Sequence, residues 1–279
     1  MPGGPVLTHG ISLHRYPSTD VRLGRYQRLD ARSLNYLHRH DPATVLRPVR
    51  HEIPIPILDQ SDLDVQGIDT RVLVPGARRV KALGSCTANA GTAALAFLLG
   101  LDGLARVGLS AIDPVACERF AICLYHEETV DDGLPGEWPP DDKGSSGLGL
   151  ARALKKRGLI GGYSHATTAD DLCSLLQHGP VLIGTPWFQA WFQPDTDGFI
   201  DSGDWVDSTP AGGHEVLAIG LDEVAQDAAG HVMPEKTVIR LRNSWSRSWG
   251  PLGGEFRLRL STYVMLRRYI DAIQLRART

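Results

Sequence analysis

The chain has 279 residues, of which 42% are hydrophobic, and its formal net charge is -3 with a pI near 6.4. This length and composition suit one large domain or two packed lobes around a substantial core. The small net charge argues against nucleic acid or an anionic membrane as a partner. No apolar run approaches the roughly 20 residues that span a bilayer, and residues 1–5 do not resemble a secretory signal. We therefore expect a cytoplasmic or intracellular protein, with association to a phage particle or release by another route as alternatives.

The first 50 residues differ from the rest and form a predicted basic N-terminal arm or extension. Between Arg15 and Arg50 the sequence has eight arginines against three aspartates, a surplus of five positive charges. Such charge runs are usually solvated, so we favour an arm that wraps an acidic surface. A dedicated anionic partner and a detachable pro-segment are the two alternatives.

Helix signals dominate the chain after a proline-rich extended stretch at 53–57. Four helices are predicted: from Ser85 or Cys86 to about Leu99, from a capping box at 110–113 to about Tyr125, from Ser145 or Ser146 to Gly158, and from Thr168 to Gly179. Beyond residue 180 the pattern changes to strands, at 181–183, 214–221, 238–241 and 256–260. Residues 51–279 are thus a predicted α+β domain, with a helical lobe at about 81–178 and a strand-rich lobe at about 179–279. A site built from both lobes would lie in the cleft between them.

Cys86 opens the first of these helices, directly after Gly84 and Ser85. A helix N-terminus has unpaired N–H groups and partial positive charge, which stabilise a thiolate and lower the thiol pKa. Taken alone, a cysteine here is more often a small buried hydrophobe. The four cysteines of the chain are too few for a disulfide scaffold of this size, so we expect free thiols and regard Cys117, Cys123 and Cys173 as inert.

Two downstream residues can complete a thiol-dependent site. His214 follows two glycines at the start of a strand and would take the proton of Cys86 as general base. Asn243 ends a later strand, and its side-chain oxygen can accept from the imidazole N–H and fix the tautomer. Trp245 and Trp249 would shield this hydrogen bond from water. A metal or cofactor site finds no support, because the second histidine of a zinc-peptidase motif is Ala218.

Together these segments resemble the signature of the papain-like cysteine peptidases. The matching motifs are Gly84-Ser85-Cys86, His214-Glu215-Val216 and Asn243-Ser244-Trp245 with Trp249-Gly250, and the resemblance covers about residues 52–273. The histidine lies 128 positions and the asparagine 157 positions after the cysteine, close to the usual spacing. The Thr-Ala-Asn-Ala sequence after the cysteine is similar to bacterial and phage members.

The resemblance implies a two-lobed fold with a barrel-like β lobe and hydrolysis of peptide bonds through an acyl-enzyme. The substrate would be a peptide or protein, and no cofactor or metal would be needed. Gly144, Ser145 and Ser146, with Gly213, are the implied partners of the substrate backbone. The sequence gives no indication of the oligomeric state.

Two of the chain's departures from the family pattern bear directly on the chemistry of the site, and Leu83, Thr87 and Ser246 are further departures. The family's oxyanion-hole glutamine, six residues before the nucleophile, is replaced by Val80, and Gln60 or Gln66 could substitute if a longer loop brings one into place. Glu215 stands where the family has a small residue, and it would either raise the pKa of His214 or point outward. These departures leave two alternatives to hydrolysis: a catalytically impaired peptide-binding protein, and an acyl or peptidyl transferase that uses the same cysteine.

Overall fold

The computed structural model describes residues 20–26 and 31–278, and within them the chain forms helices packed on one antiparallel sheet. The α-helices are α1 (Thr70–Leu73), α2 (Cys86–Leu104), α3 (Pro114–Asp131), α4 (Gly147–Lys156), α5 (Ala169–Leu176) and α6 (Leu260–Leu266). The strands are β1 (Val49–Arg50), β2 (Gly162–His165), β3 (Val181–Phe188), β4 (Pro210–Glu223), β5 (Val238–Arg242), β6 (Glu255–Arg259) and β7 (Asp271–Arg276).

Helix α2 is the central element of the helical lobe. It packs against α3, α4 and strand β4. Its alanines are buried, and a side chain at Gly91 would overlap Leu150 of α4, so small residues bring these helices close together. The predicted stop at Gly100 coincides with a break in the helical geometry, where φ is 62°. By length and composition the span Cys86–Val107 could cross a membrane, but half of its apolar window is buried inside the domain, as in the core helix of a folded lobe.

The capping residues of the next three helices follow local hydrogen bonding. Helix α3 begins later than predicted, because Asp113 and not Ser110 is its N-cap and accepts from the N–H groups of Val115 and Ala116. Ser146 caps α4, and Thr168 caps α5 in a capping box with Asp171, as the sequence predicts.

The sheet has the strand order β2-β7-β3-β4-β5-β6, and β1 pairs with β4. It is open rather than closed into the barrel-like form that we expected, with β2 and β6 at its edges. Strands β3 and β4 are longer than predicted and almost entirely buried. Strands covered on both faces lack the alternation that marks a half-buried strand, which explains why their ends are hard to read from sequence. Strands β2 and β7 and helix α6 were not predicted from the sequence, nor were the short elements α1 and β1.

Two clusters of buried apolar side chains lie on opposite faces of the sheet, because alternate residues of β3, β4 and β7 belong to different clusters. One is centred on α2, α3 and α4, with Leu95 and Ile122 among its members, and the other lies in the sheet region around Trp187 and Phe256. The N-terminal segment 20–26 runs between β4 and the residues before α4, where Gly24 bridges Gly213 and Arg25 bridges Ser145, and the segment 31–50 follows the sheet, where Leu37 bridges His165 of β2. Within this segment Leu23, Gly24 and Arg25 are buried and not solvated, whereas Val21 is 52% exposed.

Candidate active site

Cys86 lies at the N-terminus of α2, at the floor of the cleft and fully buried. Side-chain hydrogen bonds fix the turn that leads into the helix. Ser85 Oγ donates to Asn89 Oδ1 at 2.8 Å, and Asn89 Nδ2 donates to both carboxylate oxygens of Glu118 at 2.8 and 2.9 Å. The backbone N–H of Glu215 donates to Cys86 Sγ at 3.4 Å. The start of β4 therefore touches the sulfur.

His214 and Asn243 meet directly beside this point. His214 Nε2 lies 2.8 Å from Asn243 Oδ1, and an amide oxygen can only accept, so Nε2 carries the proton. Nδ1 is then the basic nitrogen, and no described residue forms a hydrogen bond with it. The structure brings Cys86, His214 and Asn243 to one place in the cleft, with the imidazole in the tautomer that a general base requires.

Aromatic side chains enclose the imidazole of His214. Trp245 stacks on it with a centroid distance of 4.6 Å, and Trp187 meets it edge-on at 4.8 Å. Trp249 lies behind Trp245 at 5.5 Å, and its indole N–H donates to the carbonyl oxygen of Phe192. Both tryptophans expected to shield the site are thus present, and Trp187, interpreted from sequence only as core or cleft wall, is a third.

Gln60 supplies a side-chain amide at the cleft floor. Its Nε2 donates to Leu83 O at 2.9 Å and to Arg22 O at 3.0 Å, and its Oε1 accepts from Ser244 Oγ at 2.6 Å. This glutamine thus joins the turn before the cysteine to the residue after Asn243. It lies 26 positions before Cys86, with α1 between the two residues, and not at the six positions of the family pattern.

Neither Gln66, the alternative glutamine, nor Val80, at the family's glutamine position, reaches the cleft. Gln66 donates to the carbonyl oxygens of Asp59 and Asp62 within its own loop. Val80 packs against the apolar core of the helical lobe. Of the two glutamines that the sequence offered, Gln60 is the one that faces a carbonyl oxygen in the cleft.

The segment 20–26 begins with a turn in which Leu23 N donates to Asp20 O, and its residues 24–26 then lie in the cleft as extended backbone. Ser145 N donates to Gly24 O at 3.0 Å, Tyr26 N donates to Ser145 O at 3.0 Å, and Arg25 N donates to Gly213 O at 3.1 Å. Ser145 and Gly213, two of the residues expected to hold a substrate backbone, thus bind the chain's own N-terminal segment. Ser146 has a different role, as the N-cap of α4.

Glycines on both sides make room for this backbone. A Cβ built on Gly24 would overlap the carbonyl oxygen of Gly84, and one on Gly144 would overlap the carbonyl oxygen of Gly24. Gly144 also has a φ of +83°, which a residue with a side chain rarely adopts. The slot between the two lobes is therefore as wide as a peptide backbone and no wider.

The segment also covers the imidazole side of the cleft. The Arg22 guanidinium lies 4.4 Å from the ring centroid of Trp245 and 5.5 Å from that of Phe192, and it pairs with Asp20. An open depression of about 680 Å³ continues on this side, lined in part by Gln189.

Burial moves the pKa values of both reactive groups away from those that favour a thiolate–imidazolium pair. Desolvation raises the pKa of the Cys86 thiol to about 12, although hydrogen bonds from the N–H groups of Glu215 and Gly24 act in the opposite direction. Desolvation also lowers the pKa of His214 to about 4, against the hydrogen bond to Asn243, which raises it. At neutral pH the pair is a thiol and a neutral imidazole. The lowered thiol pKa expected from the helix N-terminus is therefore wrong for the covered site, because desolvation outweighs it.

Glu215 neither faces His214, where it could raise the imidazole pKa, nor points outward to solvent. Successive residues of a strand point to opposite faces, so its side chain points away from His214. It is 1% exposed and faces Arg25 and Asp271, with burial raising its pKa well above the usual range. Within the described residues, no group of three or more His, Cys, Asp or Glu side chains is placed to hold a metal ion.

The fold is that of the papain-like cysteine proteases. The chain aligns with xylellain, a cysteine protease from Xylella fastidiosa, at a TM-score of 0.59 and 17% identity over 95% of this chain and 99% of that one. It aligns with procathepsin B S9 from Trypanosoma congolense at 0.54 and 11% identity, over 96% of this chain and 90% of that one. For procathepsin L 3 from the larval midgut of Tenebrio molitor the values are 0.50 and 14%, over 92% and 76%. No protein-family model matches the chain, and no curated protein is significantly similar to it in sequence.

The close fit of Gly24 predicts that Gly24→Ala displaces the segment and exposes the thiol. Alkylation of Cys86 at pH 7, followed by mass spectrometry of its peptide, should be at least about tenfold faster than in the wild type, in which a pKa near 12 keeps the sulfur protonated. Wild-type labelling should accelerate only as the pH rises far above 9. Gly162→Ala is the matched control, because a Cβ there meets nothing within 4 Å. Equal labelling of Gly24→Ala and the wild type would contradict the covered site.

Proposed function

We propose that this chain, which has the fold of the papain-like cysteine proteases, is a cysteine peptidase that residues 20–26 hold in a latent form. The observation that carries the proposal is the hydrogen bond between His214 Nε2 and Asn243 Oδ1 at 2.8 Å, next to the strand residue whose N–H touches Cys86 Sγ. It leaves a basic nitrogen on the imidazole beside a thiol at a helix N-terminus. That combination suits nucleophilic catalysis by sulfur.

The reaction begins once the cleft is open. His214 Nδ1 takes the thiol proton, and the Cys86 thiolate attacks the carbonyl carbon of the scissile peptide bond. The negative charge moves to the carbonyl oxygen, which the Cys86 N–H and the Gln60 side-chain amide stabilise. The imidazolium then gives its proton to the leaving amine as the C–N bond breaks, and a thioester remains on Cys86.

The second half of the reaction releases the acyl group. A water molecule gives a proton to His214 as its oxygen attacks the thioester carbonyl. The C–S bond breaks, the sulfur recovers the proton from the imidazolium, and the carboxylic acid product leaves. Throughout, Asn243 holds the imidazole, and Trp245 with Trp187 keeps water from their hydrogen bond.

The leaving amine must lie on the imidazole side of the cleft, because His214 protonates it. That side is lined by Trp245 and Phe192, where Arg22 now lies. The acyl part of the substrate then lies on the opposite side, along Ser145 and Gly213. Both backbone partners there are taken by the N-terminal segment in the present structure.

Latency follows from three features of the covered state. The Gln60 amide is occupied by Arg22 O, the sulfur accepts from the Gly24 N–H, and desolvation keeps both reactive groups neutral. Two of the structurally similar proteins are proenzymes by name, which supports the pro-segment alternative for the N-terminal arm. The impaired peptide-binding alternative rested on Val80 in place of glutamine, and Gln60 removes that reason.

Peptide hydrolysis is tested by removing the Cys86 thiol and measuring turnover. Gly24→Ala should cleave an unfolded protein substrate faster than the wild type, and Cys86→Ala in the same background should abolish turnover with an unchanged melting temperature. Cys123→Ala is the matched control and should retain activity, because this thiol lies on α3 outside the cleft. Turnover that survives loss of Cys86 would exclude the mechanism. Amine adducts in the product mass would instead indicate acyl transfer.

The role of Gln60 is tested in the Gly24→Ala chain, whose N-terminal segment is displaced, with Gln66 as the comparison. Gln60→Glu removes the amide donor at constant shape and should lower kcat by about 10²–10³ with a small change in KM. Alkylation of Cys86 needs no oxyanion hole, so the alkylation rate of the Gln60→Glu variant should stay close to that of the chain that retains Gln60. Gln66→Glu should keep full activity, because that side chain bonds within its own loop. Equal kcat values for the two variants would rule out the assignment.

A further inference from the structure

Three neighbouring strands place two acids on either side of a glycine. Glu215 on β4 and Asp271 on β7 are both register partners of Gly184 on β3. Residues that are directly opposite across a sheet point to the same face, so the two carboxylates flank a position without a side chain. The row lies on the face of the sheet opposite His214.

Both acids are buried, with 1% exposure for Glu215 and 0% for Asp271. Burying two acidic side chains together removes their oxygens from water, and a buried cation can supply partners for them. Here the cation is Arg25, itself fully buried in its side chain. Its Nε lies 3.5 Å from Glu215 Oε2, Nη2 pairs with Asp271 Oδ1, and Nη1 is 3.4 Å from the carbonyl oxygen of Tyr269.

The space for the guanidinium depends on two glycines. A Cβ at Gly184 would overlap Arg25 Nε and both carboxylates. A Cβ at Gly147, the first residue of α4, would approach Glu215 Oε1 to 3.0 Å and Asp271 Oδ2 to 3.4 Å. The acids and glycines together form a pocket shaped for a flat cation, which we name the acidic pocket: Gly147, Gly184, Glu215 and Asp271.

The acidic pocket opens next to the nucleophile. Arg25 follows Gly24, whose N–H bonds to Cys86 Sγ, and the backbone of Arg25 itself bonds to Gly213 O. This is the side of the cleft assigned above to the acyl part of a substrate. A peptide that replaces the N-terminal segment along Ser145 and Gly213 would therefore bring one of its own side chains to the pocket.

We propose that the acidic pocket selects peptide substrates with an arginine close to the scissile bond on its acyl side, and that Arg25 occupies the place of that side chain in the latent form. The inference rests on the proposed peptidase function and names its substrate class. Arginine fits better than lysine, because a planar fork can contact two carboxylates at once whereas an ammonium is a single point charge.

The test uses the arm-displaced Gly24→Ala chain and sets of otherwise identical peptides. Each set carries arginine, its neutral isostere citrulline, or lysine at one of the four positions before the scissile bond. At one position, kcat/KM for arginine should exceed that for citrulline by about 100-fold, since a buried charge pair loses its partner in the citrulline peptide. Lysine should fall between them. A ratio near one at all four positions would show that the pocket serves the N-terminal segment alone.

Pocket variants assign the preference to its residues. Asp271→Asn and Glu215→Gln should each bring the ratio of arginine to citrulline down by about tenfold or more while citrulline peptides are still cleaved. Asp222→Asn is the matched control, because Asp222 also pairs with arginines, Arg240 and Arg257, but elsewhere on the sheet. An unchanged ratio in both pocket variants would overturn the assignment.

A binding readout separates failure of the pocket from failure of the peptidase. If no peptide is cleaved by any variant, the proposed function fails, and the pocket is then judged by calorimetry on Gly24→Ala/Cys86→Ala. For one of the four peptide sets, that chain should bind the arginine peptide about 100-fold more tightly than the citrulline peptide. Equal affinities in all four sets would overturn the pocket, independently of turnover.

Discussion

The width of the slot between the lobes constrains every other feature of the site. Gly24, Gly84 and Gly144 approach one another so closely that a single added Cβ at any of them would overlap a neighbour. The slot accepts a peptide backbone, and the hydrogen bonds of Ser145 and Gly213 fix that backbone in an extended form. The same geometry that suits a peptide substrate therefore suits the chain's own N-terminal segment, and only one of them fits at a time.

Occupation of the slot controls the chemistry through solvation. With the segment in place, desolvation raises the pKa of Cys86 to about 12 and lowers that of His214 to about 4, so the ion pair of an active thiol enzyme does not form. Arg25 adds a further contact to the covered state, because its buried guanidinium faces Glu215 and Asp271, two acids that the fold also buries. Specificity and latency would then rest on one ionic contact.

The sequence predicts some of this site well and other parts poorly, for identifiable reasons. Cys86 begins α2, His214 lies within β4 and Asn243 follows β5, each in a local motif, so their spacing could be read directly. The choice between Gln60 and Gln66 could not be made from sequence, because neither lies six positions before Cys86. Asp271 was missed altogether, since its role depends on cross-strand register with Gly184, which no local pattern encodes. Likewise, a count of arginines at the N-terminus cannot tell a solvated arm from one whose Arg25 is buried.

The central claim is that Cys86 forms a covalent acyl intermediate once the segment leaves the cleft. Acid quenching of Gly24→Ala during turnover of an arginine-containing peptide ester, followed by mass spectrometry of the intact and digested protein, measures this directly. The account predicts one added acyl mass on the peptide that contains Cys86, and none in the wild-type chain at the same time point. Turnover of the ester with no acyl mass on Cys86, or with the acyl mass on another residue, would contradict it.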